Sequence, residues 1–408
     1  MMHHQTANTI LLIGGGYANC CAARMLTDLG HTCIIFERSD RLGGMAQSFY
    51  LDGLTYEFGP HILANHGCKQ EVIDFITRFI SVEDTQVNTA SYVEGQYVSY
   101  PPYRKDLEKL PEAERIGKEL ASLPGSPDEA NFEAYLISKV GKTVYELYYK
   151  TFTEKFWQID PKMIHADWAK IRHLGESLEE KRMFFNKRWC TYPKRDFNEL
   201  FSNITKGITV YLKTPIKNID FQRVKIVDEN GTTWQGSCII SSASLDRMFG
   251  YKYGELEYAG YEVAPVIVQQ EYFHPINEES GNHYGMVYFP EKKFPYTRIT
   301  EYKSFNNKQS DPAHFNRTII TIETPSKRAK FYPYMNAENE ERFRRYLCDL
   351  SRYPSVFSLG RLGLYKYTTL DTTTAQIMRF MEYFSIWKDM TPQERFAAYL
   401  HIRGSWDN

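Results

Sequence analysis

Ile10-Leu11-Leu12-Ile13-Gly14-Gly15-Gly16 joins an apolar run, of the kind a buried parallel strand shows, to a turn built from glycine. Cys20 to Leu29 then reads as a small-residue helix ending at Gly30. Cys33-Ile34-Ile35-Phe36 is a second buried-type strand with Glu37 at its end. Strand, glycine turn, helix and strand make a βαβ unit. Gly14 and Gly16 let the backbone approach a pyrophosphate, whose charge suits the N–H groups and dipole of the following helix. Glu37, about twenty residues on, can accept hydrogen bonds from ribose hydroxyls. Asn19 stands where the usual fingerprint has its third glycine. The surrounding order of elements, more than the glycine spacing, therefore points to a dinucleotide site; an ordinary βαβ unit is the alternative.

Arg41-Leu42-Gly43-Gly44 follows directly and indicates which dinucleotide. A second glycine pair lets backbone come close to a large bound group, and Arg41 offers a fixed positive charge, unless it is a solvated turn residue. This arrangement resembles the FAD-binding start of glutathione-reductase-like and amine-oxidase-like flavoproteins. The resemblance implies non-covalent FAD held by Gly14, Gly16, Glu37, Arg41, Gly43 and Gly44.

At 408 residues the chain is too long for one simple core, so two or three domains are expected. An apolar fraction of 42% is ordinary for a globular protein and argues against general disorder. A net charge of −1 excludes a broadly basic nucleic-acid surface. Thirty tyrosines suit a wide, wet cleft that stacks on rings and bonds sugars or phosphates, although core packing accounts for most of them. The seven cysteines form no C-x-x-C pair and read as free thiols in a reducing compartment, with no zinc or other metal site. No apolar run reaches membrane-spanning length and the polar lead lacks a signal-peptide core, so a cytoplasmic location is expected.

Proline-rich breaks at Pro101-Pro102, Pro111 and Pro124-Gly125-Ser126-Pro127 interrupt a charged, helical composition. Phe132, Tyr135, Leu136, Val140, Val144, Leu147 and Tyr148 recur at helical spacing, with Gly141 as an interruption. Residues 86–172 thus read as a helical insertion. Strands are expected at 208–212, 224–227 and 238–242, with a hairpin turn over 229–232. Val266 to Phe273, Tyr284 to Phe289 and Ile319 to Thr324 suggest an antiparallel sheet. Val356 to Arg361 reads as a strand ending in glycine, and Thr373 to Phe384 as a closing helix. The expected fold is α/β: a discontinuous FAD-binding Rossmann-like domain (1–85, 195–250 and 350–408), the helical insertion (86–172), and an antiparallel β-sheet domain (173–194 and 251–349).

Several later segments, in order, resemble the UDP-galactopyranose mutase family. They are Gly59-Pro60-His61-Ile62, Val140-Gly141 with Tyr145-Glu146, Phe152-Thr153 with Lys155 and Trp157, Pro295-Tyr296-Thr297-Arg298-Ile299, Phe331-Tyr332-Pro333, and Gly360-Arg361-Leu362 with Tyr365-Lys366-Tyr367. The resemblance implies a flavoenzyme that interconverts pyranose and furanose forms of a nucleotide-linked sugar through a covalent adduct at N5 of the reduced flavin. NADH or NADPH is the implied external reductant, and the implied substrate is a nucleotide-diphosphate sugar. It places Arg298 and Arg172 on the departing diphosphate, with Tyr332 and Tyr367 as catalytic partners. Arginine suits that task because its fixed fork pairs phosphate oxygens and never deprotonates. His61, Gly360 and Arg361 join the flavin residues. Trp157, Tyr148, Tyr149, Phe152 and Tyr296 are the substrate-side aromatics, and each of these could equally be a core residue. Phe184 stands where the family has a tyrosine that contacts substrate, and it cannot donate to phosphate.

Ala64 replaces a family histidine, Met45 an asparagine, and Thr369 an aspartate, with Asp371 close by but displaced. These departures point to a sugar or nucleotide other than UDP-galactose. An amine-oxidase-like FAD oxidoreductase is the runner-up, and a degenerate nucleotide-sugar sensor is a third reading. Sugar, base and oligomeric state stay open at this point, a homodimer included.

Overall fold

The computed structural model describes residues 2–3, 8–172, 174–175, 178, 190–305 and 315–404. Thr9–Ile13 is buried at every position and lies at the centre of a five-stranded parallel sheet. Its order is Thr209–Tyr211, Thr32–Phe36, Thr9–Ile13, Cys238–Ser241, Val356–Ser358. Such strands are covered on both faces, which is why they read as continuous apolar runs. The helix Tyr17–Asp28 follows the first strand and buries Ala18, Cys20, Cys21, Ala22 and Ala23. These small side chains let it lie close to the sheet and to the long helix Leu370–Phe384, where Tyr17 and Thr374 share a 2.7 Å hydrogen bond. Ile216–Asp220, Lys225–Asp228 and Thr233–Gln235 form an antiparallel meander, with the expected turn over 229–232.

A second sheet has six strands in the order Tyr261–Val268, Thr318–Pro325, Arg298–Glu301, Met286–Tyr288, Thr89–Val93, Gln96–Ser99. The expected strand at 266–273 in fact runs from Tyr261 to Val268, paired along its whole length with Thr318–Pro325. The sheet is not purely antiparallel, because Met286–Tyr288 runs parallel to Thr89–Val93. Residues 86–172 are likewise not helical throughout. Thr89–Val93 and Gln96–Ser99 make a hairpin at the sheet's edge, and the helical part begins at Arg104.

Phe132–Val140 ends at Gly141, whose φ of 79° marks the expected interruption. Lys142–Val144 then leads into a π-helical turn, Tyr145–Lys150, before the α-helix Thr151–Trp157. The chain ends in Leu370–Phe384 and a further helix, Pro392–Arg403. All seven cysteines are free thiols. Among the described residues no helix is long and apolar enough to cross a membrane, and no cluster of three metal-binding side chains occurs. A main core runs beneath both sheets and the helices, a smaller cluster lies in the six-stranded sheet, and a large cleft opens between the sheets.

Candidate active site

The cleft has a volume of about 1330 Å³ and runs from the βαβ turn to the six-stranded sheet. At the first end, two glycine turns are stitched together. The Gly43 N–H donates to the Gly15 carbonyl at 2.8 Å, and Gly16 and Gly43 form a β-bridge. Gly43 adopts φ 111°, and a Cβ there would meet the Phe201 ring at 2.7 Å. Gly44, at φ 56°, approaches Gly16 so closely that its Cβ would lie 3.4 Å from the Gly16 Cα. Asn19 is no defect in the motif: its Nδ2 donates to the carbonyls of Ile13 and Gly14, at 2.9 and 2.8 Å, and fastens the turn.

The Glu37 carboxylate accepts from the Gly15 N–H at 2.6 Å and from the backbone and hydroxyl of Ser39 at 2.8 Å. It is thus fixed at the sheet's carboxyl edge, where open α/β sheets bind ligands. Gly14, Gly16, Glu37, Gly43, Gly44, His61, Gly360 and Arg361 all line the cleft. Bare backbone at a helix N-terminus with a fixed carboxylate beyond it fits a pyrophosphate and a ribose, so these residues fit FAD. Arg41 stands apart from the rest: its guanidinium lies over Phe49 and beside Asp40, and it does not line the cleft.

The other end is cationic and aromatic. Arg298 lies on a central strand of the six-stranded sheet, and its side chain is only 12% exposed. Its Nε and Nη2 donate to Glu323, at 2.9–3.1 Å, and its Nη1 donates to the Tyr288 hydroxyl at 3.3 Å. Burial works against this cation, yet Glu323 and the neighbouring tyrosines outweigh it and hold its pKa well above the ordinary arginine value. Arg172 reaches the same cleft from the far side, its Nη1 donating to the Tyr367 hydroxyl at 3.2 Å. Tyr332 and Tyr367 stack with ring centroids 5.3 Å apart. Arg361 lies over Tyr367 at 4.7 Å, anchored by the carbonyls of Phe331 and Thr368. His61 is held by Glu57, which accepts from its backbone N–H at 2.8 Å and pairs with its Nδ1 at 3.1 Å. Two arginines, two tyrosines and a third arginine therefore converge in one cleft, as a clamp for an anionic group requires.

The substrate-side aromatics are arranged differently from expectation. Trp157, Tyr148 and Tyr149 are 2% exposed, and none lines the cleft. Trp157 backs the cleft wall instead, packing edge-on against Trp168 at 5.1 Å. Phe152 lies edge-on to Tyr288 at 5.7 Å, one layer behind the Arg298 partner, and Tyr296 packs in a satellite cluster with Phe289 and Phe294. Phe184 lies outside the described residues.

One pair was not foreseen. His66 donates its backbone N–H to Asp371 at 2.7 Å, and its Nδ1 lies 3.0 Å from the same carboxylate. Both Ala64 and Thr369 are thus followed, two residues on, by the partners of an imidazole–carboxylate pair whose histidine lines the cleft. Burial raises the Asp371 carboxyl, but the His66 and Thr369 hydrogen bonds outweigh it and the net shift is downward. In the sequence each member lies two residues after a departure, but nothing there joins the two.

Comparison with known proteins agrees with this geometry. A probable UDP-galactopyranose mutase of Klebsiella pneumoniae is 22% identical over 384 residues, covering 92% of this chain and 94% of that protein. A dTDP-fucopyranose mutase of Escherichia coli is 22% identical over 385 residues, covering 89% and 95%. The crystal structure of a reduced UDP-galactopyranose mutase superposes with a TM-score of 0.75 at 18% identity, over 97% of this chain and 99% of that one, which shows the fold. Residues 21–248, which begin just after the first glycine turn and include Gly43 and Gly44, match the model for flavin-containing amine oxidoreductases. The clamp half is more specific: residues 147–367, more than half of the chain and including Arg172, Arg298, Tyr332 and Tyr367, match the UDP-galactopyranose mutase model, and the chain belongs to that family.

Proposed function

We propose that this protein is a flavin-dependent nucleotide-sugar mutase, interconverting the pyranose and furanose forms of a sugar linked to a nucleoside diphosphate. The observation that carries the reading is the convergence of Arg298, Arg172, Arg361, Tyr332 and Tyr367 in the cleft that also holds the paired glycine turns. Reduced FAD, when bound, supplies the nucleophile for the anomeric carbon.

The chain's own residues then have distinct tasks. Gly14, Gly16, Gly43 and Gly44 admit the pyrophosphate of the cofactor, and Glu37 takes its ribose. Arg298 and Arg172 retain the diphosphate after it leaves the sugar, so that the same molecule can be recaptured. Glu323 presents the Arg298 guanidinium from behind through its Nε edge, leaving Nη1 toward Tyr288 and the cleft. Tyr332 and Tyr367 wall the sugar side and keep water from competing at the reacting carbon. In this reading residues 1–85, 195–250 and 350–408 hold the cofactor, while 251–349, joined by Arg172 from 86–172, supply the substrate wall. NADH or NADPH is the reductant and the cytoplasm the compartment.

The sugar is a variant one, deoxy or otherwise modified. Ala64 and Thr369 support this, and so does the similarity to a dTDP-fucopyranose mutase. The test is to incubate dithionite-reduced protein with UDP-galactopyranose, dTDP-fucopyranose and related nucleotide sugars, and to follow furanose formation. Turnover of a modified sugar above UDP-galactose is expected; isomerisation of none would overturn the mutase reading. The match to amine oxidoreductases over residues 21–248 reflects a shared FAD-binding fold, and an FAD oxidoreductase is the second reading. An oxidase of a small apolar substrate has no use for the diphosphate clamp.

A further inference from the structure

We propose that Lys155 is a positioning residue for the Arg298 clamp, an inference that rests on the nucleotide-sugar reading. Lys155 is half-buried on the helix Thr151–Trp157, and an ammonium has three N–H donors and no acceptor. Its Nζ donates to the carbonyls of Phe289 at 2.6 Å, Tyr296 at 2.8 Å and Glu291 at 3.1 Å. All three donors thus end on one connection, the loop between the strands Met286–Tyr288 and Arg298–Glu301. The loop is wrapped around the cation.

That loop sets the register of the two strands at the clamp. Its ends are closed by the Phe289 N–H donating to the Thr297 carbonyl at 2.9 Å, and the first cross-strand pair beyond it is Tyr288 with Arg298. The Thr297 N–H in turn donates to the Glu323 carbonyl at 2.9 Å, so Arg298 and its carboxylate partner are aligned by the same closure. Lys292 adds a second tie from the loop to the helix, 3.5 Å from Glu154. The helix that carries Lys155 also carries Phe152 against Tyr288 and Phe156 against Tyr332, at 5.7 and 5.1 Å. Lys155 therefore pins the strand bearing the arginine to the helix that backs both tyrosines. Without the cation, the Phe289 and Tyr296 carbonyls lose this buried donor, the Glu291 carbonyl keeps only the Phe294 N–H at 3.3 Å, and the tie between loop and helix is lost.

The experiment is a double-mutant cycle on the FAD-loaded protein, with UDP and dTDP as probes of nucleotide affinity. Lys155→Met is expected to weaken nucleotide binding about tenfold while leaving FAD content and the flavin spectrum unchanged. In an Arg298→Ala background the same substitution is expected to add less than about threefold, because residues acting as one unit are not additive. Amide hydrogen exchange supplies a second readout: protection over residues 289–297 should fall in Lys155→Met while the parallel sheet keeps its protection. If Lys155→Met fails to retain flavin, Lys155→Gln carries the same cycle. Full additivity with Arg298→Ala, or unchanged protection over 289–297, would overturn the inference. A wild-type protein that binds neither nucleotide would instead overturn the clamp reading, with the exchange measurement still deciding whether Lys155 holds the loop.

Discussion

Arg298 has a buried carboxylate behind it and, in the proposed reading, an anionic ligand in front. Removing it should therefore have two separable effects. Arg298→Ala strands the Glu323 carboxylate, which is 2% exposed, and breaking one side of a buried pair costs about 3–5 kcal/mol of stability. It also removes a charge-assisted phosphate contact worth about 1.5–3 kcal/mol, so kcat/KM should fall tenfold or more. Pairing it with Glu323→Gln should restore most of the melting temperature and none of the activity. If both recovered together, Arg298 would be only a structural ion-pair partner. At this scale the Pro295-Tyr296-Thr297-Arg298 motif made the arginine's place in the cleft legible in the sequence, because it is carried by one short segment. Arg41 lies away from the cleft lining, beside Asp40 and over Phe49. A glycine pair brings backbone, not the preceding side chain, toward the ligand, and the guanidinium found the Phe49 ring instead. His66 and Asp371 were not legible as a pair, being 305 residues apart and joined only by the fold.

Elements were legible where a strand is buried on both faces or a helix has a clear apolar stripe, as in Thr9–Ile13 and Phe132–Val140. The hairpin Thr89–Val93 to Gln96–Ser99 was missed because its turn is Glu94-Gly95, with both residues at positive φ. Asparagine or aspartate usually occupies the first of these positions, and glutamate hides the signal. The helix Pro392–Arg403 was missed although Thr391-Pro392-Gln393-Glu394 spells a capping box with proline at the first helical position. Two predictions belong here. Gly43→Ala should cost stability and lower flavin retention, since its φ of 111° and the Phe201 ring leave no room for a methyl group; full flavin occupancy in this variant would contradict the cradle.

The second concerns Asp371 in the first turn of Leu370–Phe384, where a carboxylate also suits the helix dipole. Its pKa is lowered in the folded protein, so its contribution is present above the unfolded value of about 3.9 and is lost as pH falls through the lower folded value. Asp371→Asn should melt earlier than wild type at pH 7, by about 1–3 kcal/mol, with the gap closing below about pH 4. A gap that stays constant with pH would show that the carboxylate's charge is not what holds His66.

On the scale of the whole molecule, the parallel sheet, the helical segment and the six-stranded sheet each leave one edge at the same cleft. The glycine turns lie at one end and Arg298, Arg172, Tyr332 and Tyr367 at the other, so in the proposed reading cofactor and diphosphate share one cleft. That arrangement serves a reaction in which a leaving group is kept and returned. An oxidoreductase would need an exit for electrons in each cycle, whereas a mutase needs its flavin reduced once. The direct measurement is anaerobic: reduce the bound flavin with one equivalent of dithionite, remove the excess, add a nucleotide sugar that the protein isomerises, and count product per flavin. The account predicts many product molecules for each reducing equivalent, with the flavin still reduced at the end. One product per equivalent, with the flavin left oxidised, would contradict it.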